Sequence, residues 1–305
     1  MPSGQRMRTR RGLWITIGCL VVAGIGLSLF ALAFRSCRFA VPDGRELAWS
    51  LRVATATLDA RGVAGPERIA THRLALVGIG PGPGTAALLA GPLEGVPGSA
   101  WLVDAPPDGR VRQLGPDGRL AEAAPNVAGF DFNLLPLPLG AEQEWKPEVV
   151  WAALPADRRA VTCTVKRLRS GATPQFRCTF PTSVEWIDAA TGRYRQVRDL
   201  IAIYRFDTLR GVPREARITF TLREELPPPA AFTARRIVMD LAYLGSSSAG
   251  DPADLRPLAN AAAAAEGWIA TRRLPPPEVL ARLRTAEGPF RGLVEGMRAR
   301  LAVRR

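Results

Sequence analysis

One His, three Tyr, four Cys and two Lys (Lys146 and Lys166) are all that a chain of 305 residues holds of these types. Each scarcity excludes something. A Ser–His–Asp or Cys–His centre would have to use His72, and that residue alternates with Ala70 and Leu74 in a strand-like run, where a structural role is the simpler reading. One His, four Cys and no dense Asp/Asn loop leave no material for a zinc, iron–sulfur or calcium site. No G-x-S-x-G elbow is present. The glycines from Gly78 to Gly84 lack both the βαβ setting of a dinucleotide site and the Lys-Ser/Thr ending of a P-loop, and Pro83 interrupts them. Glu142 with Glu144, and Glu224 with Glu225, are the nearest carboxylate pairs. Both sit at segment ends and read as solvated turns, with 224 and 225 on opposite faces if the strand persists. The expectation is therefore no catalytic, cofactor or metal residue, and no enzyme.

Charge is also missing from residues 13–34, LWITIGCLVVAGIGLSLFALAF. Twenty-two residues of helix span about 33 Å, enough for a hydrocarbon core of roughly 30 Å. Arg6, Arg8, Arg10 and Arg11 precede the run and Arg35 and Arg38 follow it, which holds the N-terminus in the cytoplasm and sends the rest outward. Ala31-Leu32-Ala33 fits a signal-peptidase site, but the apolar stretch before it exceeds the ordinary 7–15 residues of a cleaved signal. A retained anchor is the expected state. The loose lipobox at Thr16–Cys19 and the twin arginines Arg10-Arg11 are weaker readings that export the same body.

The net charge is +13, of which the six Arg before residue 39 supply nearly half. The remaining Arg are scattered, without an aromatic-interleaved stripe, and an exported body rarely meets nucleic acid, so nucleic-acid binding is not expected.

Cys163 and Cys178 lie in AVTCTVKRLRSGATPQFRCTFP, whose flanks alternate Val161, Cys163, Val165 and Phe176, Cys178, Phe180. A two-residue turn at Ser170-Gly171 would place the two cysteines opposite one another on the apolar face, and an oxidising compartment would favour a disulfide between them. Two buried thiols are the alternative. Cys37 is then the odd cysteine.

From 45 to 245 period-2 patterning dominates. Leu47, Trp49, Leu51 and Val53 share a face, as do Ala216, Ile218, Phe220 and Leu222, and Ile237, Met239, Leu241 and Tyr243. Residues 197–206 are apolar on both faces, which suits a central strand. Shorter strands are expected at 68–79, 84–90, 99–104, 110–114 and 148–153. After 250 the pattern turns helical. Asp251 caps 252–272, Pro275–Pro277 stop it, a second helix covers 276–285, and a third covers 290–303 with Phe290, Leu293, Val294, Met297 and Leu301 on one stripe. That stripe packs on a sheet or lies on a lipid surface or partner; sheet packing is the simpler choice. The expected fold is α+β: a basic tail (1–12), a transmembrane helix (13–34), a linker (35–44), an extracytoplasmic, mainly antiparallel sandwich or open barrel (45–250), and C-terminal helices (251–305).

Leu135-Pro136-Leu137-Pro138 and Trp145, with Tyr204, Phe206, Asp207, Gly211 and Pro213, resemble a pattern in β-rich, N-terminally anchored exported proteins of unknown function from high-GC Gram-negative bacteria such as planctomycetes. The resemblance covers about a third of the chain, implies an envelope location and names no activity. Three functions are weighed: a non-enzymatic module docking another envelope protein, a carrier or sensor of an apolar ligand such as a lipid, and a disfavoured hydrolase. In a carrier, Leu200, Tyr204, Phe206, Phe220, Met239 and Tyr243 would line the pocket; otherwise they fill a solid core, the simpler arrangement.

Overall fold

A computed structural model describes residues 37–303, apart from short stretches at 81–84, 116–118, 121–124, 139–141, 152, 156–158, 182, 189–191, 227–231 and 272. The anchor expected at 13–34 lies outside the described residues. Among those described, no helix is long and apolar enough to cross a membrane.

The body is mainly antiparallel β-sheet followed by three helices. In chain order the strands are β1 (Arg45–Leu58), β2 (Ala64–Gly78), β3 (Thr85–Pro92), β4 (Ser99–Asp104), β5 (Arg112–Gln113), β6 (Glu144–Trp145), β7 (Glu148–Val150), β8 (Ala160–Thr162), β9 (Thr164–Arg169), β10 (Gln175–Thr179), β11 (Ser183–Ile187), β12 (Tyr194–Asp207), β13 (Val212–Glu225) and β14 (Phe232–Ser248). The helices are α1 (Pro252–Ala270), α2 (Pro277–Arg284) and α3 (Leu293–Val303), with short 3₁₀ turns at Phe132–Leu134 and Gly288–Phe290. One sheet takes the order β5-β4-β3-β2-β1-β14-β13-β12-β10-β9-β6, with β11 beside β12, and β7 pairs with β8.

Alternation along the strands gives the sheet two unlike faces. Leu47, Trp49, Leu51 and Val53 of β1, Phe206 and Tyr204 of β12, Ile218 and Phe220 of β13 and Met239 and Leu241 of β14 point inward. They close over the segment 105–154, whose Phe130, Phe132, Leu134 and Leu135 are buried among them. Trp49 is fully buried; its indole N–H donates to the Pro213 carbonyl at 2.8 Å and its ring meets Phe132 edge-on. On the other face, Ala75, Val77, Ala87, Leu89 and Leu102 of β2–β4 carry the helices. Phe290, Leu293, Val294 and Met297 are buried there, so the C-terminal stripe packs on the sheet. Arg300, off that stripe, is clamped by both carboxylate oxygens of Glu266 at 2.8 and 2.9 Å and by the Gly98 carbonyl.

Asp251 caps α1 by accepting from the Ala253 amide at 2.8 Å, and Pro252 occupies the first helical position, where its missing N–H costs nothing. At Gly296, helix α3 lies directly against the backbone of the turn before β4. A Cβ on Gly296 would lie 2.2 Å from the Pro97 carbonyl oxygen, so only glycine fits there.

The cysteine hairpin departs from expectation. Its loop runs over 170–174 rather than two residues, because the Ala172 and Pro174 carbonyls accept from the Thr208 and Phe206 amides and hold the loop open. Arg169 therefore faces Gln175 and, after a bulge, Cys178 faces Val165. Cys163 and Cys178 are not directly opposed. Both are buried free thiols, not a disulfide, and Cys37 is a third. Burial pushes the Cys37 thiol up to about 11 and raises that of Cys178 further.

The turn from β12 to β13 is built by Asp207. One carboxylate oxygen accepts from the Leu209 and Arg210 amides, and the other accepts from the Arg210 guanidinium at 2.7 Å. Burial alone would raise the Asp207 pKa, but these bonds hold it below the usual carboxylate range. A depressed folded value stabilises the fold above the unfolded pKa of about 3.9, and that contribution disappears as pH falls through the folded value. Asp207→Asn should therefore unfold more easily than wild type at pH 7, with the gap narrowing toward pH 3. Urea melts at the two pH values measure it, and a constant gap would show that the ionised carboxylate contributes nothing.

Candidate functional site

The strands at the two ends of the sheet order, β5 and β6, border one cavity of about 540 Å³. The sheet thus wraps until its edges face each other across a gap, and the segment 130–137 fills the interior behind it. Arg110–Gln113 supply one wall, Trp145–Val150 the opposite wall, and Asn133, Pro136 and Leu137 the floor. Buried Val111, Leu137 and Val149 make that interior apolar, while Leu120 and Val150 stand half-exposed at the mouth. Asp108, Arg110, Glu142, Lys146 and Glu148 give the rim charges of both signs.

Two residues of this lining each carry a buried polar atom without a protein partner, beneath the cavity surface. Asn133 is buried; its amide nitrogen donates to the Val111 carbonyl at 3.0 Å, but its Oδ1 accepts from nothing. The Trp145 indole N–H is likewise buried without an acceptor. A buried donor or acceptor left unpaired costs about 1–3 kcal/mol.

Aromatic stacking sets the wall. Trp145 meets Phe176 edge-on at 5.7 Å, and Phe176 stacks obliquely on Tyr204 at 5.3 Å. The Tyr204 hydroxyl donates to the Pro136 carbonyl, fixing the floor. Asn133 is placed by Asp131, whose side chain caps the 3₁₀ turn through the Asn133 amide at 2.9 Å.

The six residues that would line a carrier's pocket, or otherwise fill a solid core, lie away from this cavity. Leu200, Tyr204, Phe206, Phe220 and Met239 are buried in the main core, and half-buried Tyr243 packs on Trp49 at 5.6 Å. None lines this cavity. Tyr204 comes closest, as the support beneath Pro136. The residues carrying the resemblance fare differently. Pro136, Leu137 and Trp145 line the cavity, Gly211 accepts from the Ala40 amide at 2.9 Å, and Pro213 accepts from Trp49.

The remaining sequence candidates do not assemble. His72 faces Leu51 and Pro92 on β2, and partial burial lowers its pKa. Glu144 pairs with Lys166 at 3.0 Å in solvent. Glu224 and Glu225 do point to opposite faces, but Glu224 is not in a solvated turn. It is buried near the end of β13, holding Arg195 at 2.8 Å and Arg235 at 2.7 Å. Two cations reaching over from β12 and β14 draw that carboxylate inward, a pairing invisible along one strand. Among the described residues, no cluster of three or more His, Cys, Asp and Glu could hold a metal.

No protein-family model matches this sequence, and no curated protein matches it. Several solved structures are similar to part of it, among them two at 12% identity each. A structure of lipid–protein interactions in lipovitellin aligns over 68% of this chain and 26% of its own, with a TM-score of 0.43. This chain thus spans about a quarter of that one. A domain of an outer membrane lipoprotein-sorting protein from Vibrio parahaemolyticus aligns over 67% of this chain and 85% of its own, with a TM-score of 0.22.

Proposed function

We propose that this chain is a non-catalytic carrier or sensor that holds an amphipathic, largely apolar ligand between the two edges of its sheet. The supporting observation is the cavity of about 540 Å³ between the two sheet edges, with apolar walls and a rim carrying Asp108, Arg110, Glu142, Lys146 and Glu148. A mainly apolar pocket of several hundred Å³ with a few placed polar groups is the ordinary form of a small-molecule site. A fatty acid or single-chain lipid meets it: the chain takes the apolar interior, and the polar head lies at the rim beside Arg110 and Lys146. The uncharged run at 13–34 would hold the body at a membrane surface outside the cytoplasm, within reach of such ligands.

Photo-crosslinking tests this. Membranes carrying the full-length chain are given a diazirine-bearing fatty acid, irradiated and digested. Adducts are expected on the peptides spanning 108–113 and 133–150. Val150→Trp, which plugs the mouth from an exposed position, should reduce them at least fivefold. Adducts scattered along the body and indifferent to Val150→Trp would end the proposal. Docking of another envelope protein is the second reading, favoured by Leu120 and Val150 exposed at the same mouth; it predicts protein rather than lipid adducts there.

A further inference from the structure

Residues 37–41 join the body with alternating exposure. Cys37, Phe39 and Val41 are buried, while Arg38 and Ala40 face solvent. The Phe39 amide donates to the Pro107 carbonyl and the Ala40 amide to the Gly211 carbonyl, both at 2.9 Å. A Cβ on Gly211 would lie 2.9 Å from the Arg38 carbonyl oxygen, so the β12–β13 turn and the entering chain meet backbone to backbone. The Ala172 carbonyl in turn accepts from the Thr208 amide and hydroxyl. Three loops, 106–109, 170–174 and 207–211, are thus gathered round the point where the chain enters. Leu209 is 64% exposed at the tip of the β12–β13 turn. Arg38 and Arg169 are exposed, and among the described residues neither has an acidic partner. Asp108 and Asp207, the acids of these loops, are already held by Arg110 and Arg210.

Only Arg35 and Ser36 separate Cys37 from Phe34, the last residue of the uncharged run. Three residue steps reach at most about 11 Å, and the headgroup layer is about 5–8 Å thick on each side of the hydrocarbon. With that run in the bilayer, the loops around Cys37 cannot stand clear of the lipid. We propose that this end of the body is seated on the bilayer, with Arg38 and Arg169 among anionic headgroups and Leu209 pressed between them. The proposal rests on the anchor at 13–34, not on a ligand in the cavity. Arginines are drawn to anionic lipid, and an exposed leucine gains by entering the interface. Pro107 leads directly into the Asp108–Arg110 wall, so the seat brings that wall of the cavity to the lipid.

Depth-dependent quenching tests this. The full-length chain, with Cys19→Ala throughout, is labelled at Leu209→Cys or at Val63→Cys with an environment-sensitive fluorophore; Cys37, Cys163 and Cys178 are buried and leave the probe to the new thiol. Val63 is exposed just beyond the far end of β1, whose 14 residues span about 43 Å. The vesicles contain phosphatidylcholine, phosphatidylglycerol and a lipid with a nitroxide near the top of its acyl chain. Quenching at 209 should exceed that at 63 at least threefold, and Arg38→Gln with Arg169→Gln should at least halve it. Equal quenching at the two positions in protein that alkaline carbonate does not extract, or quenching at 209 that the arginine pair leaves untouched, would overturn the seat alone. Extraction of the chain by carbonate would overturn the anchor and the seat together.

Discussion

Replacing Trp49 by Ala is expected to destabilise the body by about 3–5 kcal/mol, the range for a buried aromatic cut back to a methyl. Three losses combine. A fully buried indole leaves a void at the centre of β1, where the Leu47–Val53 stripe meets segment 105–154. The Pro213 carbonyl loses its donor, and Phe132 and Tyr243 lose their ring partner. A domain with 5–15 kcal/mol of stability would keep little of it. Trp49→Phe divides the effect: it keeps most of the packing and leaves Pro213 unpaired, at about 1–3 kcal/mol. Urea melts followed by far-ultraviolet dichroism give both values. A cost below 1 kcal/mol for Trp49→Ala would mean that segment 105–154 does not rest on this ring.

Gly296→Ala should be nearly as damaging, although it adds only one methyl. That methyl would sit 2.2 Å from the Pro97 carbonyl oxygen and 2.9 Å from the Gly98 Cα, both backbone atoms that no rotamer change can move. Helix α3 must either lift or drag the turn before β4 with it. Overpacking of this kind costs about 1–3 kcal/mol and occasionally more. Lifting α3 also pulls Arg300 from Glu266, leaving a partly buried carboxylate unpaired. Hydrogen exchange over 293–303 is the sensitive readout: those amides should exchange at least tenfold faster in Gly296→Ala while β12–β14 stay protected. Unchanged protection would show that the helix does not bear directly on the Pro97–Gly98 backbone.

Much of this architecture could be read along the chain. Alternation marked β1, β13 and β14, since a half-buried strand writes a period of two into its own residues, and a run apolar on both faces marked β12. Asp251-Pro252 and the triple proline at 275–277 bounded α1, and the stripe from Phe290 to Met297 identified a packed helix face. What failed was long-range. The cysteine register depended on Pro174 and Ala172 bonding to Phe206 at the end of β12 and to Thr208 just after it, more than thirty residues away. Glu224 drew its partners from two other strands. The cavity was missed because it is made by closure: β5 and β6 have two residues each, too short to carry a pattern, and meet only because eleven strands curl between and including them. Large aromatics drew attention instead to Tyr204 and Phe206, which the core consumes. An Asn beside an Asp cap and a Trp in a two-residue strand were the available signals, and neither stands out locally.

The pairing of β1 with β14 bears on how the chain comes into being. Arg45 faces Ser248 and Leu58 faces Ala234, so the first long strand to emerge waits for one of the last. Strand β1 can hold β2 early, since a short turn joins them, but its other edge has no partner until nearly two hundred more residues have been made. Such non-local closure is slow, because loop entropy must be overcome before contacts reward it. Synthesis of the strands in between must therefore finish before this edge can close. A nascent chain cut anywhere before residue 232 should present an unsatisfied β1 edge to proteases and to its neighbours, whereas the finished chain closes that edge in a single late event.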